Sequence, residues 1–175
     1  MQLKEAIALL QHPHFNPKGK QSWADLGCGT GLFTYALADL LQPESMIYAI
    51  DENANPLKKI SSTNTVSIQT LQLNIVTDNL NITNLDGIFM ANSLHYVNNK
   101  SGFLKKMKRY MKQESSFLIV EYDIDTPVSR WVPYPISFRS LTKLFSEAGY
   151  NSITKLHERR SLYNRGNIYS AIITG

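Results

Sequence analysis

Three glycines spaced two apart, Gly27, Gly29 and Gly31, directly follow the short apolar run Ser22–Leu26 and precede Leu32–Leu41, whose apolar residues recur at helical spacing. The order is that of a strand, a tight turn and a helix. Such a turn demands backbone angles that a Cβ opposes, and a glycine there also lets a ligand lie against the main chain itself. The helix that follows aims its free N–H groups at the same spot, which favours an anionic or polar ligand group.

The remaining sequence supplies scaffold and further walls for that pocket. With 175 residues, 43% of them hydrophobic, the chain is expected to form one domain over 1–175 with a sizeable core. No run of about 18 apolar residues exists to span a bilayer, and the N-terminus lacks the apolar core of a signal peptide, so a cytoplasmic protein without a membrane partner is expected. The lone cysteine, Cys28, permits no internal disulfide and reads as a small buried spacer rather than a nucleophile. A net charge of +4 is a small excess for nucleic-acid binding; Lys105–Arg109 and Arg159–Arg160 carry much of it, the first on the outer face of a helix.

The spacing predicts an amphipathic helix over Leu3–Leu10, broken by the residues from His12 to Gly19, so that 1–19 forms a short N-terminal cap. Met46–Ile50 reads as a second, fully buried strand ending in Asp51 and Glu52, followed by a short helix over about 55–61 with Pro56 in its first turn. Thr65–Leu73 is a third strand and Leu85–Ala91 a fourth, with 74–84 too short for a packed helix. A basic helix over 101–112 precedes the apolar strand Ser116–Glu121. Residues 122–138, with Arg130, Trp131 and Tyr134, form a long irregular connection of the kind that often carries function. A helix over 140–148 stops at Gly149, and two strands, 152–158 and 167–174, joined by a turn at Asn164-Arg165-Gly166, close the chain as a hairpin. Alternating strands and helices argue for an α/β fold: a Rossmann-like, seven-stranded, mostly parallel sheet covered by helices on both faces, with an antiparallel C-terminal hairpin strand.

With these parts in this order, the chain resembles the class I S-adenosylmethionine-dependent methyltransferases over nearly its whole length. Asp25-Leu26-Gly27-Cys28-Gly29-Thr30-Gly31 is similar to that family's first motif, Ile50-Asp51 to its second, the stretch from Leu85 to His95 to its fourth-strand motif, and the stretch from Leu144 to Tyr150 to the helix before its closing hairpin. The resemblance implies S-adenosylmethionine as cofactor, lying across the C-terminal ends of the first strands. It places Gly27, Cys28, Gly29 and Gly31 under the methionine portion, with Asp25 helping to hold the polar end. Asp51, with Glu52 beside it, falls at the ribose hydroxyls, Asn74 and Ile75 at the adenine, and Asn92 at the ammonium, chiefly through its backbone carbonyl. The family commonly has an acid where this chain has Asn74, and Asp78 is a competing candidate for that role.

Methyl transfer from a sulfonium needs in-line approach of a nucleophile, so positioning and desolvation can supply much of the catalysis. A general base is optional; His95, just after the fourth strand, is the candidate, with Tyr96 beside it. No metal-ligating set stands out. The leading expectation is a methyltransferase acting on a small molecule enclosed by 122–138 and the N-terminal helix, with Arg130, Trp131 and Tyr134 suited to a planar or anionic acceptor. The basic clusters leave open an RNA or protein methyltransferase, and a nonenzymatic cofactor-binding or partner-binding module with the same fold is a third reading. Tyr96-Val97-Asn98-Asn99-Lys100 also spells the Tyr-x-x-x-Lys of short-chain dehydrogenases, but Leu32 stands where a dinucleotide fingerprint wants its last glycine.

Overall fold

Strand, turn and helix form where the glycines place them. β1 spans Ser22–Leu26 and α2 spans Leu32–Leu40, with the turn between them. The computed structural model describes residues 1–129, 131–161 and 166–175. Around that unit lie α1 (Leu3–Leu10), β2 (Met46–Asp51), α3 (Ala54–Leu57), β3 (Ser67–Gln72), β4 (Leu85–Ala91), α4 (Lys100–Lys108), β5 (Met111–Tyr122), α5 (Phe138–Glu147), β6 (Ser152–Arg160) and β7 (Asn167–Thr174).

Among the described residues these strands form one seven-stranded sheet in the order β3-β2-β1-β4-β5-β7-β6. β1 to β5 pair in parallel, whereas β7 runs antiparallel to both β5 and β6. The expected α/β architecture is therefore present, closing hairpin included. Chain order reverses between β1 and β4, and there the C-terminal strand ends leave the crevice in which such sheets bind ligands.

Alternate residues of the central strands feed the two faces of the core. Trp23, Phe89, Leu118 and Val120 meet Leu9 and Leu10 of α1 and Phe33 and Leu37 of α2 on one side. Ala24, Ile88, Met90, Phe117 and Ile119 meet Leu104 and Met107 of α4 and Leu141 and Phe145 of α5 on the other. The centre of the sheet is buried on both faces, so β4 reads as an apolar run rather than an alternation.

Several boundaries differ from expectation. α3 is one short turn, because the chain tightens to i→i−3 bonds from Lys59 to Pro56 and from Ile60 to Leu57, which bring Ile60 against Cys28. β3 begins at Ser67, since Thr63 first folds its hydroxyl onto the amide of Val66. α4 ends at Lys108 and β5 starts at Met111, not 116: Tyr110 turns inward and its hydroxyl takes the amide of Leu80. α5 starts at Phe138 because Ser137 caps it, its hydroxyl accepting the amide of Ser140 while Asp125 holds Ser137 and Asp123 holds the amide of Phe138. Gly149 does end α5, with φ of 88°. The turn residues Asn164 and Arg165, and Arg130 of the long connection, lie outside the described residues.

Candidate active site

The glycine turn is tied to β2. The amides of Gly27 and Cys28 both donate to the carbonyl of Ile50, at 2.8 and 3.0 Å. Gly27, Gly29 and Gly31 all have positive φ. At Gly27 the requirement is steric as well as torsional: a Cβ there would lie 2.6 Å from Cβ of Ser93, which follows β4. The Ser93 hydroxyl donates to the carbonyl of Leu26 at 2.6 Å, locking the ends of β1 and β4 together.

Asp51, at the tip of β2, receives the Gly29 amide on Oδ2 and the Asn53 amide on Oδ1, both at 2.9 Å. Each carboxylate oxygen keeps capacity for a further donor. Glu52 takes the side-chain amide of Asn74 on Oε2 at 2.9 Å. The Asn74 carbonyl oxygen is committed to the amides of Val76 and Thr77, and the Asp78 carboxylate to the amide of Asn74 and the hydroxyl of Thr77. Both candidate adenine partners thus hold a turn after β3 together.

These strand ends enclose a cavity of about 410 Å3. Gly27, Asp51, Glu52, Asn74, Ile75 and Asn92 line it, all singled out from the sequence; Leu73, Val76, Ser93, Tyr96 and Val97 complete the wall. The volume falls in the range of roughly 300–1,000 Å3 common for small-molecule pockets. Asn92 sits at a kink with φ of 53°, and its side-chain Oδ1 is buried with no hydrogen-bond partner among the described residues. A buried, unsatisfied carbonyl oxygen is costly unless a ligand donor completes it.

The other predicted residues stand elsewhere. Asp25 is buried beneath the turn, with Oδ2 accepting the Thr34 hydroxyl at 2.6 Å and Oδ1 unpartnered among the described residues. Burial pushes its pKa up to about 7, opposed by the Thr34 hydrogen bond and reinforced by the charge of Asp51. Cys28 packs with Ala49, Leu57 and Ile60, and burial pushes its thiol pKa up, which disfavours the thiolate. Gly29 and Gly31 shape the turn without lining the cavity. His95 is also outside the wall: it is almost fully buried, its Nδ1 2.7 Å from Oε2 of Glu121, while its amide donates to Oε1 at 3.1 Å. Its ring lies behind Tyr96, with centroids 4.4 Å apart. Glu121 escaped the sequence reading, although an acid ending a run of buried apolar residues is itself a signal.

Among the described residues, neither 1–19 nor 122–138 contributes to the cavity wall. α1 lies against α2 and β6, while the long connection turns back so that the amide of Tyr134 donates to the carbonyl of His95. Lys100 gives its ammonium to the carbonyls of Val97 and Tyr134. The Tyr-x-x-x-Lys spacing therefore builds no dehydrogenase pair.

A family model described as a methyltransferase domain matches residues 18–164. The chain belongs to that family, the class I S-adenosylmethionine-dependent methyltransferases. Solved structures repeat the methyltransferase architecture. An S-adenosylmethionine-dependent methyltransferase from Aquifex aeolicus matches with a TM-score of 0.69 and 15% identity, over 99% of this chain and 98% of that one. One from Mesorhizobium loti gives 0.65 and 13%, over 98% and 96%. The plantazolicin methyltransferase BpumL, solved with S-adenosylhomocysteine, gives 0.67 and 13%, over 99% and 83%. No curated protein matches the sequence. The methyltransferase domain thus spans nearly the full length of these structures, and at these identities the likeness speaks for the fold alone.

Proposed function

We propose that this methyltransferase domain binds S-adenosylmethionine in the cavity at the ends of β1–β4 and passes the methyl group to a small-molecule acceptor. The observation that carries the reading is the convergence, in one cavity, of Gly27, Asp51 and Asn92, the Oδ1 of Asn92 being buried without a hydrogen-bond partner among the described residues. Those are an open cradle, a two-oxygen acceptor for a ribose diol, and an acceptor for an ammonium group. Ile75 and Val76 offer apolar surface to the adenine, and Asn74 and Glu52 hold that wall in place. Asp25, under the turn, accepts the Thr34 hydroxyl of α2 and so braces the turn at the methionine end. Bound there, the donor supplies an electrophilic methyl group on sulfur.

The chain's own part is to bind the donor and orient the acceptor beside it. His95, buried against Glu121 and lying behind Tyr96, stands outside the cavity wall and supports it from behind. A small acceptor is favoured over RNA because the basic clusters are partly spent inside the molecule: Arg159 pairs with Glu5 at 3.0 Å, and Lys106 is turned onto main-chain carbonyls. Calorimetric titration with S-adenosylmethionine tests the reading. Wild-type protein is expected to bind, and Asp51→Asn to bind at least tenfold more weakly; no heat and no thermal stabilisation at millimolar donor overturns it.

A further inference from the structure

The ammonium of Lys106 donates to three backbone carbonyls at once, those of Ile75 at 3.2 Å, Val76 at 3.0 Å and Asp78 at 2.5 Å. An ammonium has three N–H bonds, so its donor capacity is fully used there. The turn it grips is closed at its other end by its own side chains: Asn74 accepts the amides of Val76 and Thr77, and Asp78 accepts that of Asn74. Ile75 also packs against the core cluster that holds Phe103, Leu104 and Met107 of α4, and Tyr110, just past α4, takes the Leu80 amide beyond the turn, but among the described residues the polar grip on the carbonyls of the turn itself from α4 is that of Lys106. The neighbouring Lys105 is exposed.

We propose that Lys106 is a positioning residue for the cofactor: from α4 it clamps the turn at 74–78, and so fixes the Ile75–Val76 wall against which the adenosyl group packs. Without the clamp three carbonyls turn back to water, and the wall must be ordered at the expense of binding. The inference rests on the S-adenosylmethionine reading of the cavity, and it predicts an effect on cofactor affinity that exceeds any effect on folding.

The test uses the full chain, with S-adenosylhomocysteine as probe, so that no acceptor is needed. Lys106→Met, which keeps an apolar stem of similar length, is expected to raise the Kd at least tenfold and to speed amide exchange at Val76, Thr77 and Asp78, while the melting temperature without ligand changes little. Lys106→Arg is expected to restore much of both, and Lys105→Met to match wild type. A Kd for Lys106→Met within twofold of wild type overturns the proposal. If wild-type protein fails to bind the probe, the cofactor reading falls, and exchange at 76–78 alone decides the clamp: faster exchange in Lys106→Met upholds it, unchanged exchange refutes it.

Discussion

Asp25 places a carboxyl where almost no water reaches it, and its pKa rises from 3.8 to about 7. The folded protein therefore holds this proton to higher pH than the unfolded chain does. Its contribution is free of penalty below about pH 4, and stability falls as pH climbs from there to about 7, by an upper limit of about 4 kcal/mol. Asp25→Asn keeps an acceptor for Thr34 and removes the charge. It is expected to raise the unfolding free energy by about 1 kcal/mol or more at pH 8 and not at pH 4; denaturant titrations at the two pH values check this, and equal effects at both would count against it. The buried His95–Glu121 pair makes the opposite case. His95→Phe strands a buried carboxylate and is expected to cost about 3–5 kcal/mol, whereas the double change with Glu121→Leu recovers much of that loss. A double-mutant cycle measures the coupling. At this scale the sequence disclosed the residues whose chemistry is local: Asp51 ends an apolar strand and the glycines crowd one turn. It concealed Glu121, Ser93 and Lys106, because each acts on a group 26 to 67 positions away.

The turn between β1 and α2 gives the sharpest contrast between elements. Gly27→Ala meets both an unfavourable φ and Ser93, so it must prise β1 from β4. Gly29→Ala meets a positive φ and open space. The first is expected to cost about 2–3 kcal/mol and most of the ligand affinity, the second about 1–2 kcal/mol; thermal melts and titration with S-adenosylhomocysteine compare them. Strands bounded by turn residues, β1, β4 and β7, were legible to the residue. The edges of α3 and β3 shifted through local bonds, whereas those of α4, β5 and α5 did so where a distant group competes with local propensity: Tyr110 ends α4 early to reach Leu80, and Asp123 and Asp125 start α5 early by supplying acceptors at its N-terminus.

For the molecule as a whole, the cavity joins four strands, so a ligand seated in it links both halves of the sheet. S-adenosylhomocysteine at a hundred times its Kd is expected to add about 2.7 kcal/mol, a rise of roughly 5–10 °C in melting temperature. A differential scanning measurement at several ligand concentrations checks both size and trend. Overall architecture was legible because period and order in the sequence suffice for it; the loop at 122–138, which carries no period, gave no hint that it would fold back onto His95. The insertion of β7 between β5 and β6 sets the order of events as the polypeptide emerges from the ribosome. β6 is made before the strand that anchors it, and the edge of β5, with Phe117, Leu118, Ile119 and Val120, lies open until residues 167–174 arrive. A nascent chain halted at Arg160 would thus display an unpaired apolar edge, a natural handle for chaperones and a site of aggregation that vanishes with the last strand.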